Sequence, residues 1–262
     1  MTERELGVLC ALAEAAGLEI LDVYARNFAS WQKDDASPLT EADLRADKVV
    51  REGLEAHFPG VFILSEESVS AAGRDSDALF LVDPLDGTKE FLKRNDEFTV
   101  NIALADQQGL VAGVVLAPAL GELFYAARGL GAAKRDAGGM RGLRVARCDE
   151  PMPLRVIGSR SHGGEALTSW LGKLPRTYGF VAAGSSLKFC RIAEGRADIY
   201  PRFGPTSQWD TAAAQCVLEM AGGAVTDLNG ASLRYGLDGP TLNPEFVAVG
   251  DRRLLALATS TT

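Results

Sequence analysis

Cysteine and histidine are scarce in this chain of 262 residues, with four of the first and two of the second. Cys10, Cys148, Cys190 and Cys216 lie far apart, without the spacing of a thiolate metal site or a disulfide framework. A reducing cytoplasm is the expected location. No apolar run is long enough to span a bilayer, and Glu3, Arg4 and Glu5 do not resemble a signal peptide. Weak attachment to the inner face of a membrane stays open, as does a homodimer. Basic tails are missing too, and a net charge of −8 argues against a partner made of nucleic acid polymer. A small phosphorylated substrate is compatible with that charge, provided that metal ions and a few local Lys and Arg residues supply the attraction. Internal repeats and low-complexity segments are absent.

What is present is ordinary globular composition, 47% hydrophobic and 24% charged, in a chain long enough for one large domain or two small ones. Leu6, Leu9, Ala13, Ala16, Ile20 and Val23 form a helical stripe over residues 4–27. Residues 28–39 read as a loop. Thr40-Glu41-Ala42-Asp43 is an acidic capping box opening a second helix, which Phe58-Pro59-Gly60 stops. His57, near its end, is read as structural. Strands follow at 61–64, 79–83, 98–105, 110–117 and 122–127, which predicts a largely antiparallel sheet with helices packed on it. Beyond residue 145 strands alternate with helices: strands at 155–158, 178–183, 197–200, 224–228 and 246–249, helices at 164–171, 186–194, 210–221 and 251–258. That is an α/β pattern, giving domains 1–145 and 146–262 with no linker between them.

The densest chemistry lies at residues 79–91. A short apolar run delivers Asp83 to a proline-bent turn, and Asp86, Gly87 and Thr88 follow where a helical turn begins. Gly87 and Thr88 offer free backbone N–H groups to an anion. Glu66, Asp83, Asp86 and Asp210 all fall at element ends, where side chains can converge. Taken singly, each is a solvated loop residue or a helix cap, Asp210 above all. Taken together they repel: carboxylates about 4 Å apart cost ~4 kcal/mol per pair at a dielectric near 20, so a cluster requires a cation. With oxygen ligands only, the Leu85 carbonyl among them, Mg²⁺ is favoured over Zn²⁺. Phosphate monoester hydrolysis needs acceleration approaching ~10²¹-fold, and one acid–base pair supplies about 10²–10⁴. Metals must carry much of the rest. Thr88 can orient the attacking water if a carboxylate holds its hydroxyl, and Asp43 is the candidate.

Glu66-Glu67, Asp83-Pro84-Leu85-Asp86-Gly87-Thr88 and Trp209-Asp210 resemble the three signatures of the inositol monophosphatase-like superfamily, over residues 33 to about 250. The resemblance implies α+β or α/β architecture, a layered α–β–α–β–α sandwich like that of fructose-1,6-bisphosphatase. It also implies direct hydrolysis by water with two or three Mg²⁺ ions, and inhibition by Li⁺. By position, the metal ligands are Glu66, Asp83, Asp86 and Asp210 through side chains and Leu85 through its carbonyl. Glu66 and the Thr88–Asp43 pair activate water, Glu67 stands behind Glu66, and Trp209 packs to position Asp210.

Within the superfamily the likeness is to the 3'(2'),5'-bisphosphate nucleotidase branch of the CysQ type. It is carried by Asp86–Phe91, Ser159-Arg160-Ser161-His162, Gly184-Ser185-Ser186-Leu187-Lys188-Phe189-Cys190 and Tyr200-Pro201-Arg202-Phe203-Gly204-Pro205. Lys188 and Arg202 suit a second phosphate lying away from the metals; the inositol branch usually carries uncharged or acidic residues there. By matching position, the resemblance implies that Ser185 and His162 line the nucleotide pocket and that Asp86, Gly87, Thr88 and Asp210 also face substrate. The plainer readings are a solvated Lys188, a surface-paired Arg202 and a structural His162. The implied reaction converts adenosine 3',5'-bisphosphate to AMP and phosphate, with 3'-phosphoadenylyl sulfate as a further substrate. Inositol monophosphatase or fructose-1,6-bisphosphatase activity is the alternative within the class. A haloacid-dehalogenase phosphatase is disfavoured because Pro84 and Leu85 separate the two aspartates. A non-catalytic, metal-dependent phospholigand-binding module is the alternative from another class.

Overall fold

Thr2 and Glu5 close a capping box at the start of α1 (Glu3–Tyr24): Glu5 N–H donates to Thr2 Oγ1, and Thr2 N–H to the Glu5 carboxylate at 2.7 Å. The apolar stripe of α1 is buried along its length, and the helix ends three residues before the expected limit. The computed structural model describes residues 1–28, 30–32, 38–70, 73–149, 152–159 and 164–259. Residues 28–39, expected to be loop, include two short strands, β1 (Ser30–Gln32) and β2 (Pro38–Thr40), paired antiparallel. All three residues of β1 are exposed, Trp31 included, and the strand is too short to carry a readable pattern. Helix α2 (Glu41–His57) starts from Thr40 as expected, with Asp43 closing its capping box.

The next strands are β3 (Phe62–Ser65) and β4 (Ala78–Asp86), followed by the short helix α3 (Thr88–Leu92). Then come β5 (Thr99–Asp106), β6 (Gly109–Ala117), β7 (Glu122–Ala127), β8 (Gly131–Asp136) and β9 (Gly139–Gly142). They form a seven-stranded sheet in sequence order, antiparallel except for β3 against β4. The proline-bent turn expected at Asp83 is instead a continuation of β4. Asp83 pairs with Asn101 and Asp86 with Thr99, so β4 carries one extra residue there. Residues three apart in a regular strand face opposite sides; the bulge at Pro84-Leu85 brings both acids to one side.

Strands β8 and β9 carry no apolar alternation and escape a reading by pattern. The buried residue of β8 is Lys134. Its ammonium lies 2.7 Å from Glu194, contacts Glu122, and sits 4.7 Å from the Phe124 ring centre. Arg191 bonds the same two glutamates, Glu194 at 2.8 Å and Glu122 at 2.6 Å. A buried charge survives only when paired in this way.

The rest of the chain supplies β10 (Leu154–Gly158), α4 (Gly164–Gly172), β11 (Tyr178–Ala182), α5 (Leu187–Ala193), β12 (Ile199–Arg202) and α6 (Gln208–Met220). It closes with β13 (Ala224–Asp227), β14 (Phe246–Val249) and α7 (Leu254–Thr259). The second sheet has the order β11-β10-β12-β14-β13, with β10 parallel to both neighbours.

Alternation along the strands sorts these elements into layers. Val100, Ile102, Val114 and Leu116 face a core shared with α1 and α2. Ala103, Ala105, Val115 and Ala117 face the opposite core, with α5, α6, Ile157, Phe246 and Ala248. Val156, Val247 and Val249 face a third, with Trp170, Leu254 and Ala258. Helices, sheet, helices, sheet, helices is the resulting order. Small residues on the middle face let α6 approach closely: a Cβ on Gly113 would stand 2.3 Å from the Ala213 carbonyl oxygen.

Candidate active site

Each acidic group is carried to the site by a different local rule. Glu66 follows β3, its N–H still bonded to Val82 O at 3.0 Å. Asp83 and Asp86 come from the bulged end of β4. Asp210 is the third residue of α6, where its carboxylate accepts the N–H of the capping Ser207 at 2.8 Å. The bland expectation of a helix cap for Asp210 is thus partly met, by the reciprocal arm of a capping box. One carboxylate oxygen from each of Glu66, Asp83 and Asp210 lies within 4.8 Å of the others. Burial, reinforced by the charges of Glu66, Asp86 and Asp210, pushes the Asp83 carboxyl well above the usual carboxylate range. Burial and the charge of Asp86 push Asp210 up to about 7. These groups form a negative cluster of hard oxygen donors, with no described Cys or His in it. A hard divalent cation such as Mg²⁺ fits that donor set.

Asp86 is held from the other side. Its Oδ2 accepts the N–H of Ser186 at 2.6 Å, the Asn101 amide at 3.4 Å and the Thr99 hydroxyl at 3.5 Å. Ser186 Oγ in turn donates to Asn101 Oδ1 at 2.8 Å. Burial raises Asp86 to about 6 despite the nearby Lys188 charge. Thr99, Asn101 and Ser186 were not singled out from sequence. Polar residues at alternate positions of an otherwise apolar strand were the signal available for the first two.

Asp43 lies behind Thr88. One of its oxygens takes the N–H and hydroxyl of Thr40, at 2.7 and 2.5 Å. The other accepts from Thr88 Oγ1 at 3.4 Å, and Leu85 O lies 3.3 Å from the same hydroxyl. Burial raises Asp43 to about 6. Gly87 precedes Thr88 at φ +90°, a conformation that only glycine adopts without strain.

A cleft of about 410 Å³ joins these groups to the residues expected to choose the substrate. Glu66, Asp83, Leu85, Asp86, Gly87, Thr88, Ser185, Lys188, Arg202 and Asp210 all line it. Asp43 does not, and His162 lies outside the described residues. Lys188 is buried, contrary to the solvated alternative, and donates to Ser185 O at 2.5 Å. Burial lowers its ammonium to about 8. Arg202 donates one guanidinium N–H to Pro205 O at 2.9 Å. The buried Arg202 Nε and Ser185 Oγ have no hydrogen-bond partner among the described residues. Ser185 is further marked by φ +43°. Tyr200 and Phe246, packed edge to face, also line the cleft and had no assigned role in the sequence.

Two sheets interleaved with helices place, at the end of a bulged strand, a carboxylate cluster that could hold a metal ion. The profile of the inositol monophosphatase family matches residues 2–260, and the chain belongs to that family. It is 47% identical to the 3'(2'),5'-bisphosphate nucleotidase CysQ of Salmonella typhimurium, over 91% of this chain and 96% of that one. It is 44% identical to the Escherichia coli K12 protein of the same name, over 92% and 98%. Among solved structures, CysQ from Bacteroides thetaiotaomicron superposes with a TM-score of 0.84 at 35% identity, covering 95% of this chain and 98% of that one. The suhB protein of Bartonella henselae gives 0.85 at 28%, over 99% and 98%.

Proposed function

We propose that the protein is a Mg²⁺-dependent 3'(2'),5'-bisphosphate nucleotidase that hydrolyses the 3'-phosphate of adenosine 3',5'-bisphosphate to AMP and phosphate. Phosphatase activity on the bisphosphate is the activity named in its curated relatives, which match at 44–47% identity over about nine-tenths of the chain. The observation that carries the substrate choice is that one cleft holds the acidic cluster together with Lys188 and Arg202. A monophosphate ester gives those cations nothing to bind. A second phosphate gives them a partner and satisfies the buried Arg202 Nε.

In this reading Glu66, Asp83, Asp86, Asp210 and the Leu85 carbonyl hold the metal. The bound ions supply the positive charge that activates water and offsets charge on the phosphoryl and leaving oxygens. Thr88 Oγ1, held by Asp43, orients the attacking water and passes its proton toward the Asp43 carboxylate. Gly87 and Thr88 direct backbone N–H groups at the reacting phosphate. Ser185 offers its free hydroxyl to the nucleotide, and Tyr200 and Phe246 provide an aromatic wall beside Lys188. Hydrolysis of 3'-phosphoadenylyl sulfate, inhibition by Li⁺ and action in a reducing cytoplasm belong to the same reading. The four cysteines, all free thiols, agree with it. Among the described residues no helix is long and apolar enough to cross a membrane.

Comparing kcat/KM for adenosine 3',5'-bisphosphate and inositol 1-phosphate tests the choice of substrate. A preference for the inositol ester overturns it.

A further inference from the structure

Asp43 reaches Thr88 from one face of α2, and one turn along that face stands Asp47, a second buried carboxylate that the mechanism above does not use. Its two oxygens take separate donors. Ser65 Oγ donates to Oδ1 at 2.5 Å, and Ser68 Oγ to Oδ2 at 2.8 Å. These serines bracket Glu66 and Glu67. Backbone bonds draw the same shoulders together: Ser65 N–H to Ser68 O at 2.9 Å, and Ser70 N–H to Ile63 O at 3.0 Å. Ser65 Oγ also lies 3.4 Å from Glu67 N–H, which it accepts. The segment is a narrow loop with the two glutamates at its tip and one carboxylate clasping both sides.

We propose that Asp47 is a positioning residue for Glu66. Helix α2 then sets both groups on which water activation depends, Thr88 through Asp43 and Glu66 through Asp47. The proposal rests on the phosphatase reading and extends it. Hydroxyl bonds to an ionised carboxylate are among the strong ones, and deleting the acceptor leaves two donors unpaired, one on the buried Ser65. The tip is then free to shift, and about 1 Å of misplacement in such a site costs ~10²-fold in rate. Lys188 and Arg202 stand on α5 and β12, which Asp47 does not touch, so substrate affinity is spared.

The test uses the full chain carrying Asp47→Ala, Asp47→Asn, or Ser65→Ala with Ser68→Ala. Calorimetric titration with Mg²⁺ alone reads the metal site, and kcat and KM on adenosine 3',5'-bisphosphate read the reaction. Asp47→Ala is expected to weaken Mg²⁺ binding ~10-fold or more and lower kcat by ~10²-fold, with KM within about twofold of wild type. Asp47→Asn, which keeps one acceptor oxygen, falls between, and the double serine variant matches Asp47→Ala. Should Asp47→Ala not fold, the other two variants carry the same comparison. Wild-type Mg²⁺ affinity and kcat in the folded variants, with only the melting temperature lowered, overturns the proposal. A wild-type protein that neither binds Mg²⁺ nor releases phosphate overturns the proposed function and this proposal with it.

Discussion

Ser186 donates its backbone N–H to Asp86 Oδ2 at 2.6 Å, joining residues 100 positions apart in the chain. The bond runs from the threshold of α5 to the end of β4, so the cation-bearing wall of the cleft is registered against the acidic strand. Asn101 ties the pair together, donating to Asp86 at 3.4 Å and accepting from Ser186 Oγ at 2.8 Å. Asn101→Ala is therefore expected to lower kcat about tenfold and stability by ~1–3 kcal/mol, the cost of orphaned buried donors. Steady-state kinetics and urea unfolding check both. Wild-type values in the two assays together would remove Asn101 from the account.

Thr88→Val keeps the shape of the side chain and deletes the hydroxyl that Asp43 holds. The expected loss is ~10²–10⁴-fold in kcat, the range for one positioned proton-transfer group, with KM changed only a few-fold. Thr88→Ser should recover much of the rate. A defect confined to KM would reassign Thr88 to binding.

Burial lowers Lys188 to about 8, so the side chain is charged below that pH and neutral above it. Attraction for a second phosphate is present at pH 7 and lost as the pH rises through this value. KM for adenosine 3',5'-bisphosphate should climb above about pH 8, while KM for a nucleoside 3'-monophosphate stays level. Lys188→Met should raise KM for the bisphosphate ten- to a hundredfold at pH 7, matching a charged hydrogen bond worth ~1.5–3 kcal/mol, and should abolish the bend. Equal pH dependence for both substrates would contradict this role.

Lys134 gives a contrasting case, a buried cation that serves the fold. Lys134→Ala removes the buried ammonium from between Glu122 and Glu194, which keep Arg191, with Arg141 and Arg196 more distant from Glu194 at 3.7 and 3.9 Å. Loss of one partner from a buried ion network is expected to cost about 3–5 kcal/mol. Chemical denaturation should register that loss, and kcat/KM of the folded fraction should stay at the wild-type value.

The sequence was legible wherever the pattern was periodic or the chemistry local. The stripe from Leu6 to Val23, the Thr40–Asp43 capping box and the apolar strands β4 to β7 have the residues that their geometry demands. Strand β8 did not show because its inward residue is Lys134, whose burial depends on glutamates from β7 and the end of α5. Asp83 and Asp86 could be picked out as a pair. The bulge that turns them to one side could not, since it depends on the register against β5. Asn101, Ser186 and Asp47 were missed for a related reason: each acts through a partner distant in the chain. Lys188 was located, but its burial under Tyr200 is a tertiary fact.

The central claim is that Glu66, Asp83, Asp86 and Asp210 serve a divalent cation at the reacting phosphate. The most direct measurement is phosphate release from adenosine 3',5'-bisphosphate by protein freed of metal by exhaustive chelation, then resupplied with Mg²⁺. The account predicts no release above background until Mg²⁺ returns, and recovery of the full rate when it does. Undiminished turnover by the chelated protein would contradict it.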